Sequence, residues 1–130
     1  MEGFSAEHRR DSGQPRNFIR PCLLLLLKEA PSHGYELLER LPAFGLGQDH
    51  AALYRTLRAL EGEGLVSSGW EETENAPARR RYEVTAEGEA WLDRWAQALT
   101  ATQGLLAFYL NRYRACAGRP VNGTDLTAEV

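Results

Sequence analysis

Apolar positions along this chain change their period several times, and the changes mark out its elements. The densest run, PCLLLLLKE at residues 21–29, is too uniform for period alone to separate a buried strand from a helix. Its length and the helix propensities of Leu, Lys and Glu predict a helix over residues 18–29, buried on most sides. Pro21 is tolerated in the opening turn, where its missing N–H has no partner to lose, and Pro31 stops the helix. Ser32 is the expected N-cap of a second short helix, GYELLERL, with Tyr35, Leu38 and Leu41 on one side. Pro42 and the glycines of AFGLGQD end that helix in a loop.

The stretch HAALYRTLRALEGEGLV, residues 50–66, is the most informative of the chain. Leu53, Leu57 and Leu60 recur at i, i+4 and i+7, a stripe that faces a core. Ala51, Tyr54, Arg55 and Arg58 make the other face, and Gly62 and Gly64 close the helix. Two extended pieces follow. VSSGWEE carries Val66 and Trp70, and RRRYEVT alternates Tyr82 and Val84 with charge. TENAPA between them predicts a turn whose projecting tip is Asn75-Ala76-Pro77. Thr85 is then an N-cap, with Glu87 and Glu89 near the positive end of a long helix over residues 86–113. On it Leu92, Trp95, Leu99, Thr102, Leu106, Tyr109 and Tyr113 alternate spacings of three and four, a heptad seam. Such a rod reaches about 42 Å at ~1.5 Å per residue and outreaches a small domain. A second copy of the chain is the expected cover for the seam, which makes the protein a homodimer.

Helix, helix, helix, hairpin and long helix in this order predict a mainly α fold with a small β-hairpin. A winged helix-turn-helix domain over residues 18–84 is followed by a long C-terminal dimerisation helix over residues 85–114. Residues 1–17 and 115–130 are polar, without apolar periodicity, and read as flexible tails.

Composition narrows the functional classes. Fifteen basic against eighteen acidic residues leave a net charge of −3, so any attraction for nucleic acid must be local. Cys22 and Cys116 stand far apart without a CxxC pairing, which suits a reduced, cytoplasmic protein. The apolar run at residues 21–27 is too short to span a bilayer, so no membrane partner is expected. His8, His33 and His50 are scattered, with no HExxH and no Cys/His cluster. Gly45 and Gly47 lack the strand-before, helix-after context of a dinucleotide site, and no serine sits in a nucleophile elbow. Neither catalysis, nor a metal, nor a cofactor is expected.

The predicted order turns the third helix into a reader of double-stranded DNA. Its candidate contacts are His50, Ala51, Tyr54, Arg55 and Arg58. Arginine suits the major groove because its planar fork meets guanine O6 and N7 together. Tyrosine can bond a phosphate or pack on a thymine methyl. Arg79, Arg80 and Arg81 open the return strand beside the hairpin tip, where positive charge serves phosphates or the adjacent minor groove. Glu71, Glu72 and Glu74 lie across the hairpin and could instead absorb those charges. Ser32 and His33 could offer donors to a phosphate at the start of the second helix, although capping alone explains Ser32. A second class stays open beside the DNA reader: a winged-helix dimer that binds protein, favoured by the net negative charge and the acidic hairpin strand.

The pieces LLLLLKEAPSHGYELLERL, LYRTLRALEGEGLV and GWEETENAPARRRYEVTAEGEAWL together resemble the PadR-type transcriptional regulators. HGYE after the first helix, Y-x-x-L-x-x-L-E-x-x-G-L in the third and Y-x-[LV]-T-x-E-G after the wing occur in the family's order, over about residues 18–113. PRNFIRPCLLLLLKE also resembles a subgroup described as polyhydroxybutyrate-responsive repressors. The resemblance implies a cytoplasmic, dimeric repressor on a pseudo-palindromic operator, often near its own gene. Tyr54 falls on the family's recognition-helix tyrosine, while Arg55 stands where many members have proline. His50-Ala51-Ala52 replaces a more usual Pro/Ser-Gly lead-in. Regulators of this kind often leave DNA when a small apolar or aromatic effector binds against the long helix. Trp91, Trp95 and Leu99, with Phe18, are the corresponding positions here, although large aromatics at helical spacing are more often core or dimer packing and Trp95 falls on the seam itself.

Overall fold

A computed structural model describes residues 14–119 of the chain; residues 1–13 and 120–130, most of both expected tails, lie outside the described residues. Helix α1 spans Ile19–Glu29. Its leucine run is enclosed, with Cys22, Leu23, Leu24, Leu26 and Leu27 buried and Leu25 turned outward. Ala30 leaves the helix in an extended conformation because the following Pro31 disfavours helical geometry in the residue before it. Gln14 is not loose. Its amide donates to the carbonyls of Gly45, at 2.9 Å, and Phe44, at 3.3 Å.

Strand β1 is the two-residue Ser32–His33, which the sequence pattern did not predict. It pairs antiparallel with the return strand of the hairpin, Ser32 opposite Tyr82 and His33 opposite Arg81. Helix α2, Gly34–Arg40, starts directly from it. His33, not Ser32, is its N-cap, and Glu36 accepts the His33 backbone N–H at 2.7 Å. Because β1 fixes the entry angle, Gly34, Leu37 and Leu41 face the core, while Tyr35 is exposed and Leu38 half-buried. The expected Tyr35/Leu38/Leu41 face is therefore rotated. A 3₁₀ turn, Leu41–Phe44, follows.

Helix α3 spans His50–Gly62 and is capped by Asp49, whose carboxylate accepts the Ala52 N–H at 2.7 Å. Leu53, Leu57 and Leu60 are fully enclosed, as their spacing predicts. Strands β2, Val66–Thr73, and β3, Ala76–Val84, pair antiparallel in a sheet of order β1-β3-β2. Thr73 opposite Ala76 closes a two-residue turn, so the tip is Glu74-Asn75. Ala76 and Pro77, expected at the tip, belong to β3, and Pro77 falls where the register shifts and a missing donor costs least.

Helix α4 runs from Ala86 to Cys116, two residues past the expected boundary at 114. Thr85 caps it by accepting from Gly88 N at 2.9 Å and ties it to the end of α3 by donating to Gly64 O at 2.7 Å. Two compact units divide the chain within this helix, one through Trp95 and one from Ala96. The first unit holds the core, built on α1, Leu37, Leu41, the leucines of α3, Leu65, Val66 and Tyr82. Leu92 and Trp91 pack against its edge, so part of the predicted seam serves the body of the domain. In the second unit the helix is exposed all round from Thr100, with Leu105, Leu106, Phe108, Tyr109, Leu110 and Tyr113 among the uncovered side chains.

Candidate nucleic-acid interface

The leucine stripe of α3 dictates which side chains are left over. Ala51, Arg55 and Arg58 are exposed on the side away from Leu53, Leu57 and Leu60. Neither arginine has a carboxylate partner among the described residues, so both guanidinium forks are available. His50, also exposed, stacks on Tyr54 with ring centres 5.2 Å apart.

Tyr54 departs from the sequence expectation. It is half-buried, with its ring 6.4 Å from that of Tyr82 and its hydroxyl laid against the Cα of Gly34. A methyl group at Gly34 would overlap the phenol. Tyr54 thus spaces α3 from the start of α2 rather than sharing the free face with Arg55 and Arg58. Burial also pushes the Tyr82 phenol above its usual range.

The wing separates its three arginines by strand alternation. Arg79 and Arg81 lie on one face of β3 and Arg80 on the other, with Tyr82 and Val84. Arg79 donates to the Tyr35 hydroxyl at 2.7 Å, and its guanidinium lies 5.3 Å from that ring. Arg81 is 3.9 Å from Glu71 and 3.7 Å from Glu83. Of the acidic residues facing the arginine run, Glu71 therefore absorbs part of the wing's charge. It also meets His33 Nε2 at 2.5 Å. His33 stacks on Tyr35 with near-parallel rings and, only 13% exposed in its side chain, joins α2 to the wing instead of facing outward. Ser32 is 3% exposed and donates to Ala30 O at 3.0 Å, which leaves it no surface to offer a phosphate. The hydrogen bond of the His33 backbone N–H holds the Glu36 carboxyl below the usual carboxylate range.

Arg80 is different. Its guanidinium lies 5.1 Å from the Trp70 ring, and Trp70 is 67% exposed. Trp70 was not among the residues the sequence marked for DNA, although its even spacing from Val66 and Ser68 puts it on the same strand face.

Against these placements, the match to known proteins is informative. The model of the transcriptional regulator PadR-like family matches residues 23–94. The chain belongs to that family. The family's members are transcriptional regulators, not enzymes. The PadR-like match runs from the leucines of α1 to one residue short of the end of the first unit. Among solved structures, the chain is similar to a conserved protein of unknown function described as a potential transcriptional factor. That pair is 32% identical, with a TM-score of 0.67, over 78% of this chain and 96% of the other. A PadR family regulator from Eggerthella lenta is 28% identical, with a TM-score of 0.57, over 75% of this chain and 82% of the other. PadR of Bacillus subtilis, solved in complex with operator DNA, shares the fold at 20% identity and a TM-score of 0.57. There the similarity covers 63% of this chain and 48% of the other. No curated protein matches the chain.

The expected effector residues of this PadR-like chain fall in separate settings. Trp91 and Trp95 form a tilted pair, ring centres 5.7 Å apart, with the Arg20 guanidinium 5.8 Å from Trp91. Phe18 meets Phe44 edge-on at 6.4 Å. Leu99 belongs to the second unit, as do Thr102, Leu106, Tyr109 and Tyr113. Among the described residues no group of three or more His, Cys, Asp or Glu side chains is placed to hold a metal, and no helix is long and apolar enough to cross a membrane.

Proposed function

We propose that the protein is a cytoplasmic, homodimeric repressor that reads a pseudo-palindromic operator with α3 and steadies itself on the flanking backbone with its wing. The single observation that carries this is the exposed Arg55/Arg58 pair, without a carboxylate partner among the described residues, on a helix whose opposite face is locked into the core. A reading helix needs that rigid backing, because base-edge contacts tolerate little misplacement. Membership of a family of transcriptional regulators supports the reading, as does the operator complex of the Bacillus subtilis relative.

The second unit supplies the argument for two copies. Tyr109, 62% exposed, stands beside Leu106 and Tyr113 on the heptad seam, and Leu105 and Phe108 broaden the apolar strip. A monomer in water gains nothing from keeping such a strip uncovered. Pairing through it would give the protein two copies of α3, matching an operator whose two half-sites lie roughly one turn of DNA apart. Release by a small apolar or aromatic effector at the Trp91–Trp95 pair completes the proposal, with the tilted rings as the surface a flat molecule would meet.

Replacing Arg55 and Arg58 together by alanine tests the reading. Each bidentate contact accounts for about 1–3 kcal/mol, so the double variant should lose specific binding while its molecular mass in solution stays unchanged. Retained specific binding would contradict the reading.

A further inference from the structure

We propose that Arg80, held by Trp70 and Ser68, is the wing's DNA-contacting residue, and that Arg79 and Arg81 are not. The inference rests on the DNA-binding reading above and names which of three adjacent arginines performs the wing's part.

The three differ in what already engages them. Arg79 is committed to Tyr35 by a hydrogen bond and by lying against its ring. Arg81 sits between Glu71 and Glu83, so its charge is offset locally. Arg80 faces the other side of the sheet, beside α3. Its Nε donates to Ser68 Oγ at 3.1 Å, and Ser68 Oγ donates in turn to Glu61 Oε2 of α3 at 2.8 Å. That relay fixes the base of the guanidinium relative to the reading helix. It uses Nε only, and among the described residues the two terminal nitrogens have no hydrogen-bond acceptor. Trp70 lies directly across the strand pair from Arg80, and the guanidinium sits over its ring at 5.1 Å from the ring centre.

An arginine oriented in advance loses little freedom when it binds, and a stacked guanidinium is weakly hydrated, so it is easily moved into a narrow groove. The exposed indole face beside it offers apolar surface to the sugars lining the same minor groove. Both side chains extend from the face of the hairpin that adjoins α3. The partner is therefore the minor groove flanking the half-site read by α3, where narrowing concentrates negative potential.

The test uses the full-length protein and a duplex recovered by selecting random-sequence DNA on the wild type. Arg80→Ala should weaken binding about tenfold and reduce the salt slope by about one. Trp70→Ala should weaken it by roughly threefold to tenfold, and Trp70→Tyr, which keeps a ring under the guanidinium, should recover most of that loss. Arg79→Ala and Arg81→Ala should stay within about twofold, with every variant melting near the wild type. Equal losses for the three arginines, or no loss for Arg80→Ala, would overturn the inference. Recovery of no preferred duplex by the wild type would instead overturn the DNA-binding reading itself. If Arg55→Ala with Arg58→Ala abolishes binding while Arg80→Ala and Trp70→Ala do not, the reading stands and this inference alone falls.

Discussion

Single atoms decide several features of this chain. Gly88 sits in the first turn of α4, where alanine would ordinarily be worth about 1 kcal/mol more than glycine. Here a Cβ would run into the Leu65 carbonyl oxygen and lie 2.7 Å from Val84 Cγ2. The carbonyl is held by the Thr85 N–H and cannot give way, so Gly88→Ala should destabilise the fold by about 1–3 kcal/mol in denaturant unfolding. An unchanged or raised midpoint would contradict that packing. Cys22 offers a second check. Burial pushes its thiol up to about 11, whereas Cys116 is exposed. The raised value means that the protonated thiol is the favoured folded form. Its contribution is complete below the ordinary value of 9.0 and fades as pH rises through about 11. At neutral pH a thiol reagent should modify Cys116 rapidly and Cys22 only on unfolding, and two fast thiols would contradict the burial of α1. Tyr54 shows why residue roles were partly hidden. Its spacing puts it between the leucine stripe and the arginines, and what turns it inward is the missing side chain of Gly34, twenty positions away.

At the scale of elements, the long regular patterns were legible and the short ones were not. α3 and α4 declare themselves through apolar spacing and α1 through its length and helix propensity, with stops at Pro31 for α1 and at Gly62 and Gly64 for α3. β1 is two residues long, too short for any period, yet it moves the N-cap from Ser32 to His33 and rotates α2. The hairpin was visible, but its tip was not, because Ala76 and Pro77 carry a turn composition inside an irregular strand pairing. Arg79, Arg80 and Arg81 read as one basic run in the sequence, and it is the strand they form that puts Arg80 on the opposite face from its neighbours. Glu71's pairings with His33 and Arg81 depended on cross-strand register that only the folded hairpin fixes. α4 carries its own prediction. Leu106→Glu with Tyr109→Glu would place like charges on a shared seam and should halve the solution mass measured by light scattering, with the melting of the first unit's core little changed. A wild-type monomer, or a variant of unchanged mass, would contradict dimerisation through this strip.

The whole molecule joins a net negative charge to a small, local basic surface. Glu71 and Glu83 pair with Arg81, and Glu71 with His33, whereas among the described residues Arg55 and Arg58 meet no carboxylate and Arg80 engages only its Nε, on Ser68. Such a protein should bind DNA through position more than through overall attraction, so a specific duplex should outcompete a random one by a wide margin. The most direct measurement is a fluorescence-anisotropy titration of DNA from upstream of the protein's own gene against a scrambled duplex, at several salt concentrations. Tight, salt-dependent binding to the first with much weaker binding to the second is the predicted result. No binding to either duplex, even at low salt, would contradict the account and leave the exposed arginines of α3 to a protein partner.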